Sequence, residues 1–238
     1  MARNHGHMTK NDIVYILKGE PSEELRYSIR SVVKNFPYRN IVFYGGCPQD
    51  IKPDIFVEFL QYGDGKMART HSTLRAIMQD DNLTDDIWLF NDDFFIMKPF
   101  TEETTICNHN LFDVISRIEN SRGGRSSKYT RKLRRTAAFL DYYKYGSISY
   151  ESHTPILINR KKGLYILDNF PADVCFRSTY GNYYKVPGIE QDDVKIVQPF
   201  IGPTEKDALL STNNRSFQYY IVGQFIREHF PSPTRYEK

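Results

Sequence analysis

Short apolar runs recur along the first hundred residues of the chain, and a polar or amphipathic stretch follows each of them. Runs rich in β-branched and aromatic residues predict strands. The clearest are DIVYILK (12–18), NIVFYGG (40–46) and DIWLF (86–90), with a weaker example in DIFVEFL (54–60). The N-terminal part of the chain is therefore expected to build a sheet.

Two stretches between these strands carry apolar residues at helical spacing. Residues 19–37 begin with Pro21, Ser22 and acidic residues, which is typical of a helix start, and stop at Pro37. Residues 66–82 place methionine, leucine and isoleucine on one face. Strands that alternate with helices are typical of the α/β class. We therefore expect a mainly parallel (mixed) sheet flanked by helices.

The rest of the chain has less regular patterning. It predicts a basic loop that becomes a helix (121–146), an extended segment (148–158), a short helix (160–171), a late strand (193–200) and an amphipathic helix (216–230). The sequence contains no repeat and no linker, so we predict a single domain over 11–238. The polar residues 1–10 are expected to be disordered or an expression tag.

Composition narrows the class of protein. The 238 residues carry 32 Lys and Arg against 29 Asp and Glu, so a nucleic-acid surface would require local clustering of basic residues. No apolar run approaches the roughly 18 residues that span a bilayer. Cys47, Cys107 and Cys175 are widely spaced and odd in number. This spacing argues against disulfides and a structural zinc site and favours a cytoplasmic protein.

Two adjacent acids stand inside the most apolar segment, WLFNDDFFIMKP (88–99). Asn91, Asp92 and Asp93 follow the strand predicted at 86–90, and ligands of α/β proteins bind beyond the carboxyl ends of parallel strands. Adjacent carboxylates repel each other and lose hydration, and a divalent cation compensates for both effects. The pattern predicts that Asp92 and Asp93 bind Mg²⁺ or Mn²⁺. The alternative is a turn cap or a pair of ordinary ion pairs.

Several motifs around these acids occur together in one known family. They are ELRYSIRSVVKNFP (24–37), a strand ending in YGG (44–46), FNDDFFIMKP (90–99), SHTPILINR (152–160), NFP (169–171), FRS (176–178) and STNNRSF (211–217). The first three resemble the second conserved region of the Stealth family of sugar-phosphate transferases. The others are similar to its third region, which contains His-x-Pro, and its fourth. Residues 12–21 lack the Tyr-Thr-Trp-Val-Asp/Asn-Gly signature of the first region.

The resemblance implies a GT-A-like fold and an enzyme that uses a nucleotide sugar. A related glycosyltransferase would move the sugar to an acceptor hydroxyl, whereas a Stealth enzyme would move hexose 1-phosphate. Because the first region is altered, we predict glycosyl transfer. Residues 11–100 would then bind the nucleotide sugar, and residues 101–238 would bind the acceptor. The implied roles are metal binding by Asp92 and Asp93, a further catalytic role for Asp93, orientation of sugar or water by Asn91, general-base catalysis by His153 and phosphate binding by Arg177. The alternatives are a structural histidine at His153 and a surface ion pair at Arg177.

Other basic residues are candidates for contacts to the donor. Arg26 and Arg30 share a helix face, where they contact a diphosphate or pair with nearby glutamates. Lys66 and Arg69 stand at the start of a predicted helix, whose free amides favour anions. Solvent-exposed positions without a ligand are the equal alternative for Lys66 and Arg69.

A cluster of basic residues lies within fourteen positions in RGGRSSKYTRKLRR: Arg122, Arg125, Lys128, Arg131, Lys132, Arg134 and Arg135. Such a segment could close over a nucleotide diphosphate, with Arg131 as a substrate contact, or hold a polyanionic acceptor such as nucleic acid or a polysaccharide. A solvated charged face is the simplest alternative. A hypothesis of another class is a non-catalytic nucleic-acid-binding protein built around this segment.

Overall fold

The structure is a computed structural model that describes residues 10–60, 66–100 and 105–238, with side chains from residue 68 onward in the second range. The predicted tag therefore lies outside the described residues apart from Lys10, and so does the side chain of Lys66. The chain divides into two compact units. Unit 1 contains the chain up to Phe59, Asp86–Glu103 and Val194–Lys238, and unit 2 contains Leu60–Asp85 and Thr104–Asp193.

The described residues form both strands and helices. In chain order they are β1 (Asp12–Lys18), α1 (Glu23–Asn35), β2 (Ile41–Gly46), β3 (Ile55–Glu58), α2 (Lys66–Gln79), β4 (Asp86–Phe90), β5 (Phe94–Ile96), β6 (Thr105–Cys107), α3 (Leu111–Asn120), α4 (Lys128–Tyr142), β7 (Ile156–Asn159), α5 (Arg160–Asn169), α6 (Phe176–Tyr183), β8 (Gly188–Glu190), β9 (Leu209–Ser211), α7 (Asn214–Tyr219) and α8 (Ile221–His229).

Unit 1 is organised around four parallel strands in the order β3, β2, β1, β4. The central strand β1 is paired on both sides, so its Ile13, Val14 and Tyr15 are fully buried. Helix α1 packs the apolar side chains of Leu25 and Ile29 into the interior of the unit. The predicted α/β class, with a mainly parallel sheet flanked by helices, is confirmed.

The C-terminal part of unit 1 differs from the sequence-based expectation in two places. The strand predicted at 193–200 is wrong, because only Lys195 in that segment is paired, through an isolated bridge to Ser211. The helix predicted at 216–230 is interrupted at Tyr220, whose backbone is extended and separates α7 from α8. This break lets Phe217 stack on Phe95 with their ring centroids 5.7 Å apart.

Unit 2 consists largely of helices. Helix α4 begins at a capping box in which Ser127 and Thr130 satisfy each other's backbone amides. Arg160, at the start of α5, is buried and donates to the carbonyls of Thr84, Met78 and Leu83. No helix among the described residues is long and apolar enough to cross a membrane.

Candidate functional site

The predicted acids of unit 1 lie in a tight turn between β4 and β5. The amide of Phe94 donates to the carbonyl of Asn91 at 3.3 Å, which closes the turn. Strand β5 is then held from two sides. It pairs with β9, and the Ser28 hydroxyl of α1 donates to the Phe94 carbonyl at 2.6 Å. The apolar run resumes after the acids because β5 is buried, and its anchoring fixes the position of Asp92 and Asp93.

The two aspartates have different surroundings. Lys195 pairs with Asp93 at 2.8 Å, while the other oxygen of Asp93, Oδ1, is buried without a hydrogen-bond partner among the described residues. Burial raises the pKa of Asp92, and the charge of Asp93 raises it further, whereas a hydrogen bond from Ser22 opposes the shift. Asn91 is exposed beside them. Asp92 thus has no ion pair among the described residues, and Asp93 has one cationic partner and one unused oxygen.

A third acid, Glu24, belongs to this group. Its carboxylate is buried in the first turn of α1 and accepts a hydrogen bond from the hydroxyl of Thr212. Burial raises the pKa of Glu24 to about 7, and the charges of Asp93 and Asp92 add to the increase. We call Glu24, Asp92, Asp93 and Lys195 the carboxylate site.

The carboxylate site has the donor chemistry for a hard cation. Asp92 and Asp93 offer carboxylate oxygens, the preferred ligands of Mg²⁺ and Mn²⁺. The buried, unbonded Oδ1 of Asp93 and the raised pKa of Asp92 show that added positive charge would be favourable here. No set of three His, Cys, Asp or Glu side chains in the described chain is grouped closely enough to form a complete metal site. The residues fit a cation that takes its remaining ligands from a bound substrate or water.

The two arginines predicted to contact the donor are engaged within unit 1. Arg26 pairs with Asp50 at 2.5 Å. Arg30 is buried, pairs with Glu237 at 2.6 Å and also donates to the Phe230 carbonyl. A buried arginine with these partners holds the C-terminal segment, so we leave Arg30 out of the proposed binding residues. Substrate binding by Arg26 remains a prediction.

In unit 2, the predicted base His153 has a carboxylate partner. The Nδ1 atom of His153 lies 2.7 Å from Asp193, whose other oxygen accepts the His153 backbone amide at 3.3 Å. The side chain of His153 is about one third exposed. A carboxylate on Nδ1 orients an imidazole and favours the tautomer whose Nε2 atom accepts a proton. His153 and Asp193 form a dyad suited to general-base chemistry.

Arg177 lies near this dyad in unit 2. Its Nη2 atom donates to the Thr154 carbonyl at 2.6 Å, and its Nε atom is buried without a hydrogen-bond partner among the described residues. Burial lowers the pKa of Arg177, while the nearby carboxylates of Glu151 and Asp193 oppose that shift. A buried guanidinium with an unused donor is suited to an anionic group.

Unit 2 contains a small cleft close in sequence to two of the remaining predicted contacts. Thr70 and Lys132 line it, and they are the chain neighbours of the exposed Arg69 and Arg131. Farther along α4, Arg134 and Arg135 pair with Glu119 and Asp173, so part of the basic segment is neutralised locally. Lys66 begins α2, and its side chain lies outside the described residues. Donor binding by Lys66, Arg69 and Arg131 remains a prediction.

Comparison with known proteins adds no family assignment. The sequence matches no protein-family model, and a search among curated proteins found no match. The functional proposal therefore rests on the geometry and electrostatics of the carboxylate site and of the residues around His153.

Sequence reasoning missed four members of these sites: Glu24, Lys195, Thr212 and Asp193. Glu24 stands at a predicted helix start and opens the motif at 24–37, but neither feature connects it with the two aspartates. Lys195 lies in the segment wrongly predicted as a strand. Asp193 is 40 residues from His153, so no local spacing connects the two. The similarity of residues 211–217 to a conserved region of the family was the one signal that pointed to Thr212.

Proposed function

We propose that the chain is a divalent-metal-dependent glycosyltransferase that moves a sugar from a nucleotide-sugar donor to an acceptor hydroxyl. The observation that carries the proposal is the pair of adjacent aspartates at the carboxyl end of a parallel strand, where α/β proteins bind ligands. One of them has a raised pKa, and the other has a buried oxygen without a hydrogen-bond partner among the described residues. The motifs shared with the Stealth family support the same class of donor.

Asp92 and Asp93 would hold the metal, which neutralises charge on a leaving diphosphate when it is bound. Lys195 holds Asp93 in place through its ion pair and supplies fixed positive charge at the site. Glu24, hydrogen-bonded to Thr212, contributes a further carboxylate to the same group. Asn91 is exposed and offers an amide to orient a sugar hydroxyl.

His153 would take the proton from the acceptor hydroxyl as the new bond forms. Asp193 orients the imidazole and stabilises the imidazolium that results. Arg177 would bind a phosphate oxygen through its guanidinium, whose positive charge favours an anionic group. The same residue types also serve transfer of hexose 1-phosphate, so the mass of the product must decide between the two reactions.

The proposal is tested by calorimetric titration of nucleotide sugars with and without Mn²⁺, using the wild type, Asp93→Asn and the control Asp81→Asn, an exposed aspartate of unit 2. We expect metal-dependent binding in the wild type and the control, and its loss in Asp93→Asn. Mass spectrometry of the acceptor should show a gain of one sugar. A gain of sugar phosphate would favour the Stealth reaction, and binding that is unchanged in Asp93→Asn would refute the metal assignment.

A further inference from the structure

One face of unit 2 presents a continuous group of aromatic rings. Neighbouring ring centroids are 4.8 to 6.2 Å apart. We call this group the aromatic surface, and its members are Phe139, Tyr142, Tyr143, Tyr145, Tyr165, Phe170, Tyr183 and Tyr184. Tyr142, Tyr143 and Tyr165 are 78%, 51% and 45% exposed. A contiguous exposed group of this kind marks an interaction site more often than a stability feature.

Lysines border the aromatic surface. The Nζ atom of Lys162 lies 5.2 Å from the centre of the Tyr184 ring, and Lys185 follows that tyrosine directly. Lys161 precedes Tyr165 by four residues on α5, which places the two on one helix face. Among the described residues, no ion pair joins Lys161, Lys162 or Lys185 to a carboxylate. The positive charges of these three lysines are thus available to an anionic partner.

The same helix that ends in the aromatic surface begins in the basic segment. Helix α4 carries exposed Lys128 and Arg131 in its first turn and Tyr142 at its last position. Its 15 residues extend about 22 Å, so an extended polymer along the helix would meet cations first and aromatic rings afterwards. The arrangement suits a chain that carries both regular negative charge and flat rings.

We propose that the aromatic surface binds a single-stranded polynucleotide, with bases stacked on Tyr142, Tyr143 and Tyr165 and phosphates beside the flanking lysines. Bases stack on aromatic side chains whatever their sequence, and lysines follow the phosphate backbone. A folded acidic protein would satisfy the lysines but would not need several exposed, rigid rings. The aromatic surface shares no residue with the carboxylate site, and the proposal does not depend on glycosyl transfer.

The test is fluorescence anisotropy with a labelled oligothymidylate of about 20 nucleotides, long enough to span the surface. Tyr142→Ala and Tyr165→Ala should each weaken binding about tenfold, because a stacked base loses its ring. Tyr142→Phe, which keeps the ring, should bind within about twofold of the wild type. Tyr219→Ala is the matched control, since Tyr219 is 76% exposed but lies in unit 1. The substituted positions are exposed, and circular dichroism would verify that each variant is folded.

Three outcomes would overturn the proposal. Tyr142→Ala and Tyr165→Ala would bind as tightly as Tyr219→Ala if the rings made no contact. Polyphosphate, which has charge but no rings, would compete as strongly as the oligonucleotide if charge alone were recognised. A polysaccharide that bound while the oligonucleotide did not would make this a carbohydrate surface. Asp93→Asn should leave oligonucleotide binding unchanged, which separates this result from failure of the proposed transferase.

Discussion

Replacing Glu24 with glutamine tests the electrostatics of the carboxylate site. Burial and the nearby aspartates raise the pKa of Glu24 from its ordinary 4.5 to about 7. The folded protein therefore holds this proton more tightly than the unfolded chain does. Tighter binding of this proton stabilises the folded state. This contribution is fully present below pH 4.5 and is lost as the pH rises through about 7. Above that pH a buried carboxylate is charged beside two others.

The size of the effect follows from the shift. Each pKa unit corresponds to about 1.4 kcal/mol, so a shift from 4.5 to about 7 sets a ceiling of about 3 kcal/mol. Because relaxation of the surroundings reduces the cost of a buried charge, we expect about 2 kcal/mol of this from Glu24 itself. Glu24→Gln keeps an oxygen for the Thr212 hydroxyl and has no charge at any pH. The variant should be more stable than the wild type at alkaline pH. Its free energy of unfolding should also lack the part of the pH dependence that Glu24 contributes.

The assay is urea unfolding at about pH 5 and about pH 8 in the presence of a chelator. The single tryptophan, Trp88, is buried in β4 and reports unfolding of unit 1. Glu23→Gln is the matched control, because the ion pair with Arg227 lowers the pKa of Glu23 and gives the opposite sign. That variant should lose stability at neutral pH by less than about 1 kcal/mol. If the free energy of unfolding depended on pH equally in the wild type and in Glu24→Gln, the raised pKa assigned to Glu24 would be wrong.

Three further predictions concern individual contacts. His153→Ala should lower turnover by about two to four orders of magnitude with little change in donor affinity, and Asp193→Asn should lower turnover by less. Full activity of both variants, measured by product formation, would exclude the dyad as a base. Lys195→Met should lower the melting temperature, because Asp93 loses the cation of its ion pair. In a thermal-shift assay, Mn²⁺ should raise the melting temperature of this variant more than that of the wild type. Arg30→Met should lower the free energy of unfolding by about 3 kcal/mol, measured with urea, while donor affinity stays constant. Loss of donor affinity without loss of stability would show that Arg30 binds the donor.

The sequence determined the local elements of this protein where short-range chemistry sets them. Strand β1, for example, is predicted and observed at the same residues because its β-branched run can be buried on both sides. The start of α1 follows from Ser22, whose side chain accepts the amide of Leu25. The adjacent acids and their place after β4 could also be predicted, since their chemistry and the strand that positions them are neighbours in the chain.

The residues that surround those acids come from distant parts of the chain and are brought together by folding. Lys195 and Asp93 are 102 positions apart, and Glu24 and Thr212 are 188 apart. Strand β9 pairs with β5 and so carries Thr212 to the turn, an arrangement set by burial of the C-terminal helices rather than by any local pattern. The raised pKa of Glu24 likewise arises from burial and from the charges of aspartates on another segment, and burial contributes most to the raised pKa of Asp92. Periodicity describes neighbours along one element, whereas electrostatics at a site depends on distances through space, which folding alone fixes.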